Sequence, residues 1–298
     1  MSKLTSSNKA PIYLRLMGGL GNQLFQYAAG RSLADRRGVE LVIDDRYVLR
    51  KSHHSGLSLD AFNIRARQMN NLERKHFSER SIIVARWFKK LIRPLGRVYW
   101  ETQHNYDTSI DNLPVGQLLI GFWQSEEYMH DLHQLRLDLE FKVPLTEPAK
   151  KLSLTIDAVE SVALHVRRGD YLKDQKTSAR HGVCSQSYYQ SAIDLVLAEK
   201  PTAEFFVFSD DAKWVKANLQ LPPQCTYVSA ANITAEEDLV LMSGCKHQII
   251  ANSTFSWWGA WLNKNCDKVV VCPTPWFDDE TIATQDLLPA NWHQLAKN

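Results

Sequence analysis

The sequence lacks the long hydrophobic runs and the paired cysteines that many membrane-spanning and secreted proteins contain. No stretch of about 18 uninterrupted apolar residues occurs, so we expect no transmembrane helix. The five cysteines are an odd number and show no CxxC spacing, which argues against structural disulfides and favours a reducing compartment. The first ten residues, MSKLTSSNKA, lack the apolar core of a signal peptide. These absences predict a soluble, cytoplasmic protein.

An excess of charge of one sign is also missing. The 298 residues include 35 Lys+Arg and 33 Asp+Glu, which gives a formal net charge of +2. The chain as a whole therefore lacks the basic character typical of nucleic-acid-binding proteins, and we expect no nucleic-acid partner. Hydrophobic residues make up 44% of the chain, which is ordinary globular composition.

Several common catalytic signatures are absent as well. There is no GxxxxGK[ST] phosphate loop and no G-x-S-x-G nucleophile elbow. A strict Asp-x-Asp motif and an H-x₃₋₅-H spacing beside CxxC are both missing, so we expect neither a metal site nor a cofactor. Hydrolase and thiol chemistries are disfavoured, because the nucleophile elbow is missing and no cysteine lies in a motif typical of an active site.

Short apolar runs alternate with helical patterns along most of the length, which indicates α/β units built around largely parallel sheets. The strand candidates are 12–17, 41–43, 118–122, 162–166, 205–208, 248–251 and 269–272. The proline-containing segment 143–157 is the expected domain boundary, and the length allows two domains, over residues 1–150 and 151–298.

The region between 50 and 115 shows weak strand signals and holds much of the basic charge. Within it, residues 82–92 form the pattern of a basic amphipathic helix, with Val84, Phe88 and Leu91 on one side. Such a helix either presents a solvated face or contacts an anionic membrane surface or a phosphate-bearing acceptor. Peripheral association with the inner membrane is therefore one of three open interpretations.

A glycine-rich turn follows the first strand candidate, at Gly18-Gly19-Leu20-Gly21-Asn22. Glycines between a strand and a helix let the backbone approach a ligand and direct N–H groups at an anion, although they also suit a tight turn without a ligand. Leu24 stands where the dinucleotide pattern requires a third glycine, so a nicotinamide site has weak support.

The segment His165-Val-Arg-Arg-Gly-Asp-Tyr171 follows the strand candidate 162–166. It therefore lies at the carboxyl end of a strand, where open α/β sheets bind ligands. Arg167 and Arg168 can neutralise a diphosphate, because each guanidinium offers a planar fork of donors. Asp170 can orient a guanidinium or act as a base, and a purely structural Arg–Asp pair is the alternative.

Three further elements each admit a structural and a functional interpretation. Ser209-Asp210-Asp211 can present carboxylates to a ligand or cap the next helix. Asn252-Ser253-Thr254 suits capping equally well, or a phosphate held on exposed N–H groups. The acidic triplet 236–238 is either a charged first helical turn or a site where a carboxylate accepts the N1–H and N2–H of guanine.

Taken together, the segments 17–31, 165–171, 208–211 and 237–262 resemble the bacterial α-1,2-fucosyltransferases of glycosyltransferase family 11. The resemblance runs through nearly the whole chain in the same order, and it is weakest over 50–145, where acceptor choice is expected to lie. It implies an α/β fold of the GT-B type, with two Rossmann-like domains and a cleft between them. The N-terminal domain would be the acceptor side and the C-terminal domain would bind the donor.

The activity implied by this resemblance is inverting, metal-independent transfer of L-fucose from GDP-β-L-fucose to the 2-hydroxyl of a terminal galactose. The product would be an α-1,2 linkage in a bacterial surface glycan. Two alternatives stay open, a GT-B enzyme that uses another nucleotide sugar and a catalytically silent protein that binds a glycan or a nucleotide.

The resemblance also implies catalytic roles. Arg167 would hold the β-phosphate with Arg168 nearby, and His165 would touch the fucose or the phosphates. Asp170 would orient the arginines. The resemblance leaves the general base open. By its place beside the arginines, Asp170 is the first candidate, and the others are His165, Asp174, Asp44 and Asp45.

The remaining residues implied by the resemblance would contact the donor. Asp238 matches the guanine-reading carboxylate. Ser253, Thr254 and Phe255, with Asn252 before them, match the wall around the phosphates and the base. Gly19, Gly21 and Asn22 would face the donor across the cleft.

Overall fold

The computed structural model describes residues 9–50, 58–87, 97–169, 175–228 and 233–298. The chain forms two compact units. Unit 1 comprises Met1–Lys142 with Gln285–Leu287, and unit 2 comprises Val143–Thr284 with Leu288–Asn298. The chain thus passes from unit 1 to unit 2 after Lys142, earlier than the predicted division at residue 150. None of the helices in these ranges has the length and apolarity that crossing a bilayer requires.

Unit 1 contains a parallel sheet of strand order β3-β2-β1-β5-β4. Its strands are β1 (Ile12–Arg15), β2 (Leu41–Asp44), β3 (Arg67–Gln68), β4 (Val98–Trp100) and β5 (Leu118–Ile120). Its helices are α1 (Leu20–Arg37), α2 (Arg46–Arg50), α3 (Asn71–His76), α4 (Glu79–Trp87) and α5 (Leu132–Asp138). The region of weak strand signals thus supplies two short strands of the sheet, β3 and β4.

Unit 2 contains a second parallel sheet, of strand order β11-β10-β9-β6-β7-β8. Its strands are β6 (Ser161–Val166), β7 (Glu204–Ser209), β8 (Cys225–Tyr227), β9 (His247–Ile249), β10 (Val270–Thr274) and β11 (His293–Ala296). Its helices are α6 (Glu147–Ala158), α7 (Gln175–His181), α8 (Gln186–Glu199), α9 (Ala212–Asn218), α10 (Ala235–Gly244) and α11 (Thr254–Leu262). The predicted α/β class with parallel sheets is confirmed.

Strand β6 contributes to the hydrophobic core on both faces of the second sheet. Every residue of β6 is buried, as expected for a strand of a parallel sheet packed between helices. Val162, Leu164 and Val166 enter one hydrophobic cluster, while the alternate residue Ala163 enters another. Because side chains alternate across a strand, one apolar run serves both layers.

A buried ion-pair network occupies the carboxyl ends of β1 and β2 in unit 1. Asp44 is fully buried and accepts hydrogen bonds from Arg15, at 2.7 and 2.9 Å, and from Arg46, at 2.7 and 2.9 Å. Although burial opposes ionisation, the hydrogen bonds from Arg46 and Arg15 hold the pKa of Asp44 below its usual value. Asp45 is likewise buried and binds Arg74 at 2.9 Å. The hypothesis that Asp44 or Asp45 acts as a general base is therefore wrong, since both carboxylates are committed to arginines.

Helix α4 differs from its predicted pattern. Ile82 and Ala85 face the core, whereas Ile83, Val84 and Trp87 are exposed, Trp87 by 83%. Val84 thus lies on the outward side of the helix. Phe88 and Leu91, the other members of the predicted apolar side, lie outside the described residues, and contact of this helix with a membrane stays a prediction.

The Asp44 network makes a prediction about stability. In the Asp44→Asn variant, Arg15 and Arg46 lose the negative charge of their buried partner, although Arg15 keeps its ion pair with Glu79. We expect the free energy of unfolding to fall by about 3 kcal/mol. The exposed control Asp60→Asn should change it by less than about 0.5 kcal/mol. Urea unfolding at neutral pH measures both, and equal stabilities of the two variants would contradict the role of the network.

Candidate functional site

The candidate site lies where β6 and β7 end. These strands pair in parallel, with Val166 opposite Ser209, so the residues that follow them leave the sheet side by side. Arg167 and Asp210 are those residues. The structure thus places the arginine segment at the carboxyl end of β6, as the sequence predicts.

One carboxylate fastens the arginine segment. Asp210 Oδ2 lies 3.2 Å from Arg167 Nε, and Asp210 Oδ1 accepts the backbone N–H of Arg168 at 2.9 Å. A Cβ atom at Gly169 would lie 3.2 Å from the same carboxylate, so this glycine keeps the approach open. The resemblance gave the orienting role to Asp170, which lies outside the described residues. Among those described, Asp210 fills that role.

Asp211, the next residue, acts on the second arginine through a helix. Its side chain caps α9 by accepting the N–H of Trp214 at 3.0 Å. The Trp214 ring in turn lies beneath Arg168, whose guanidinium carbon is 3.9 Å from the ring centroid. A guanidinium stacked on indole keeps its charge while losing rotational freedom. The capping interpretation thus applies to Asp211, whereas Asp210 binds the arginine segment of the protein itself. Trp214 is a residue that the sequence did not single out.

His165 and the helix that begins at Thr254 lie near each other. His165 is 5% exposed within β6, and its ring centroid is 5.9 Å from that of Phe255. Ser253 occupies the N-cap position of α11 without making a side-chain capping hydrogen bond. The first N–H groups of α11 are therefore not capped by this serine, as the predicted phosphate contact at Ser253 and Thr254 requires.

Asn252 has a different role from the predicted one. It is 1% exposed, and its amide N–H₂ lies within hydrogen-bond distance of three carbonyl oxygens, those of His181, Gly182 and Trp276. Its Oδ1 accepts from the thiol of Cys184. Because the side-chain amide of Asn252 makes its hydrogen bonds with other groups of the protein, we no longer expect it to contact the donor.

Two residues of the acidic triplet, Glu237 and Asp238, have different surroundings. Glu237 completes a capping box with Thr234 and accepts the backbone N–H of Thr146 at 2.6 Å. Asp238 Oδ1 is buried and has no hydrogen-bond partner among the described residues. Burial, together with the charge of Glu237, raises the pKa of Asp238 to about 7. A buried acceptor without a partner is costly unless a ligand supplies the donors.

The glycine segment of unit 1 is held by amide side chains. Gly18 adopts φ 75°, Gly19 is the N-cap of α1, and Gly21 lies within the first turn of that helix. Gln26 Oε1 accepts the N–H of Met17 at 2.9 Å. Asn22 Oδ1 accepts a hydrogen bond from the side-chain amide of Gln124 at 3.0 Å. Contacts of Gly19, Gly21 and Asn22 with a donor stay predictions.

Acidic, histidine and cysteine side chains do not gather into a metal site in the described ranges: no group of three or more could hold an ion there. The expected metal independence stays a prediction.

Comparison with known proteins agrees with the family suggested by the sequence. The model of glycosyl transferase family 11 matches residues 2–296. An α-1,2-colitosyltransferase of Escherichia coli is 35% identical over 291 residues, covering 96% of this chain and 99% of the relative. The O-antigen biosynthesis glycosyltransferase WbnK of Escherichia coli is 34% identical over 295 residues, covering 89% and 95%. Human galactoside α-(1,2)-fucosyltransferase 1 is 30% identical over 154 residues, covering 48% and 42%.

The fold has a counterpart among solved structures. A mutant of Arabidopsis thaliana FUT1 in complex with GDP superposes with a TM-score of 0.53 and 14% identity, covering 88% of this chain and 70% of that chain. Similarity at this level of identity concerns the fold alone.

The stacking of Arg168 on Trp214 makes a prediction about anion binding. We expect Trp214→Ala to weaken pyrophosphate binding about tenfold, because Arg168 loses the surface that orients it. Trp214→Phe keeps an aromatic face and should lose less. Isothermal calorimetry measures all three proteins, and wild-type affinity in the alanine variant would show that the stack does not position Arg168.

Proposed function

The chain belongs to glycosyltransferase family 11, and on that basis we propose that it transfers L-fucose from GDP-β-L-fucose to the 2-hydroxyl of a terminal galactose. Transfer would invert the anomeric centre and form an α-1,2 linkage in a bacterial surface glycan. The O-antigen enzyme and the α-1,2-transferases among the relatives support this proposal. A cytoplasmic location is part of it.

The observation that carries the proposal is the arginine pair held by Asp210. As the bond to fucose breaks, the departing GDP gains negative charge at its β-phosphate, and a fixed cation placed there lowers the barrier. Arg167 is one-third exposed, so a ligand can reach it, while Asp210 restricts its position. Arg168 adds a second charge on the Trp214 ring. Charge that is held in place before the reaction costs no reorganisation during it.

Asp238 supports guanine as the base of the donor. An ionised carboxylate has two oxygens, and guanine presents two adjacent N–H groups, N1–H and N2–H, whereas uracil offers a single N3–H donor. The unpartnered, buried Oδ1 of Asp238 is an acceptor of the kind that guanine would satisfy. This supports a GDP-linked donor over a UDP-linked one.

Inversion in a single displacement requires a base at the acceptor hydroxyl. Asp44 and Asp45 are excluded by their arginine partners. We therefore keep Asp170 as the first candidate for the base, from the sequence alone. The pH profile of an Asp170 variant, together with its separately measured affinity for the donor, distinguishes a general base from a residue that orients the arginines.

A second donor sugar deserves the same test. The colitosyltransferase of Escherichia coli matches this chain over 96% of its length. Colitose differs from fucose by the absence of the C3 hydroxyl, so both sugars suit the same nucleotide and the same displacement. The competing proposal is that GDP-colitose is the donor.

One experiment tests the activity and its donor. The protein is incubated in EDTA with GDP-fucose or GDP-colitose and with lactose or Galβ1-3GalNAc, and product linkage is determined by NMR. We expect α-1,2-fucosylated product in EDTA. Turnover with GDP-colitose alone would favour the second donor, and turnover restored only by a divalent ion would overturn metal independence.

The role of Arg167 gives a matched pair of variants. Arg167→Ala should lower kcat by about 10²–10³, as expected for removal of one preorganised charge at the leaving group. Lys213→Ala removes the same charge from an exposed position of α9 and should keep wild-type turnover. If Arg167→Ala retained more than half of the activity, Arg167 would have no part in the mechanism.

Asp238 gives a pH dependence. Its pKa of about 7 means that the neutral form dominates at lower pH, and a neutral carboxyl is a poorer acceptor for two N–H groups. Affinity for GDP-fucose should therefore fall by about tenfold per pH unit well below 7 and level off above it. Asp238→Asn should bind weakly with a flat profile, while Glu236→Gln keeps the wild-type profile. A flat wild-type profile between pH 5.5 and 8 would contradict the assignment.

A further inference from the structure

Unit 1 has its own cluster of polar side chains at the carboxyl edge of its sheet. Strand β5 lies between β1 and β4, and all three run parallel. The glycine turn follows β1, Glu101 follows β4, and the turn 121–124 follows β5. Open α/β sheets bind ligands along this edge.

The turn 121–124 contains a strained residue. Trp123 has φ 56°, and it is the one non-glycine residue with positive φ in the described part of the chain. Aromatic residues rarely adopt this conformation, which persists only where the surroundings enforce it. Enforced strain of this kind clusters at binding and catalytic sites, so the turn is a candidate for function.

Glu101 and two aromatic rings enforce the turn. The Glu101 carboxylate accepts the backbone N–H of Phe122 at 2.7 Å and that of Trp123 at 2.9 Å. The buried Trp123 ring stacks on Tyr99, with ring centroids 5.9 Å apart, and meets Tyr128 edge-on at 5.6 Å. The residues on either side of Trp123, Phe122 and Gln124, are half-buried. The turn is thus anchored through Trp123 and leaves its neighbours accessible.

Gln124 joins this turn to the glycine segment. Its amide nitrogen donates to Asn22 Oδ1 at 3.0 Å, and Asn22 lies so close to Gly18 that a Cβ there would be 2.6 Å from Asn22 Nδ2. Within the described residues, Gln124 Oε1 and the N–H₂ group of Asn22 make no hydrogen bond. The pair therefore presents one acceptor and one donor, fixed relative to each other.

These groups have the chemistry of a sugar subsite. A hydroxyl both donates and accepts, so it can satisfy the acceptor of Gln124 and the donor of Asn22 at once. Phe122, on the same turn, is half-buried, and the face of an aromatic ring suits the C–H groups of a pyranose. Both amides are neutral, which suits an uncharged sugar better than a phosphate.

We propose that Asn22, Phe122 and Gln124 form the subsite for the acceptor galactoside, with Gln124 both contacting a galactose hydroxyl and positioning Asn22. The proposal rests on the proposed function, because it takes a galactoside as the acceptor. It adds Phe122 and Gln124, neither of which the sequence singled out, and it assigns Asn22 to the acceptor, whereas the resemblance had placed this residue at the donor.

The test compares Gln124→Ala with Gln68→Ala, an exposed glutamine of β3. Saturation-transfer NMR with methyl β-D-galactoside and GDP reports acceptor binding, and calorimetry with GDP reports donor binding. We expect Gln124→Ala to weaken galactoside binding about five- to tenfold, with GDP affinity within twofold of wild type. Gln68→Ala should match wild type in both. Phe122→Leu should also weaken the galactoside selectively.

Kinetics with deoxygenated acceptors separates contact from a general disturbance of the turn. Lactose is compared with analogues that lack the 3-, 4- or 6-hydroxyl of galactose. If Gln124 contacts one of these hydroxyls, the effects on kcat/KM of removing that hydroxyl and of Gln124→Ala will not be additive. For the other two analogues, the effects of the missing hydroxyl and of Gln124→Ala will be additive. Additivity for all three analogues, or equal loss of GDP and galactoside binding, would overturn the subsite.

The outcomes also separate this proposal from the proposed function. A wild-type protein that binds GDP but no galactoside would overturn both the acceptor and the subsite. A wild-type protein that makes the α-1,2 product, with Gln124→Ala unchanged in galactoside binding and kcat/KM, would overturn the subsite alone. Gln124→Asn, which keeps an amide on a shorter side chain, should recover part of the lost binding.

Discussion

The parallel pairing of β6 with β7 is the constraint on which the candidate site depends. Because Val166 and Ser209 are opposite each other, the segments that follow start at neighbouring points of the sheet edge. A single carboxylate, that of Asp210, can then hold the side chain of Arg167 and the backbone of Arg168 together. Two adjacent arginines repel each other, and this carboxylate offsets that repulsion while leaving positive charge for a ligand.

Helix α9 supports the second arginine of this segment, Arg168. Asp211 fixes the first turn of this helix, and the helix presents the ring on which Arg168 rests. Two acidic residues that are neighbours in sequence thus act differently: Asp210 binds the arginine segment directly, and Asp211 acts on it through the helix that carries Trp214. Preorganisation of this kind is how a protein provides a fixed electrostatic field for a leaving group.

Charges have different uses in the two units. In unit 1, Arg15, Arg46 and Arg74 neutralise buried carboxylates, so these ions stabilise the sheet edge and are not available for chemistry. In unit 2, Asp238 keeps a buried oxygen without a partner, at a cost that a ligand can offset. At the edge of the sheet in unit 1, the neutral amides of Asn22 and Gln124 belong to the proposed subsite for an uncharged sugar.

The sequence by itself determined the α/β class and the main strands, and it located the arginine segment at the end of a strand, because apolar periodicity and the residue types after each strand are local properties. It missed β3 and β4, whose two and three residues give too short a pattern to recognise. Only the tertiary structure decided which polar side chains are spent on the protein itself: Asn252, Glu237 and Asp44 are, whereas Asp238 is not. That distinction depends on partners that lie far away in the chain, and strand register and packing, rather than local pattern, bring those partners together.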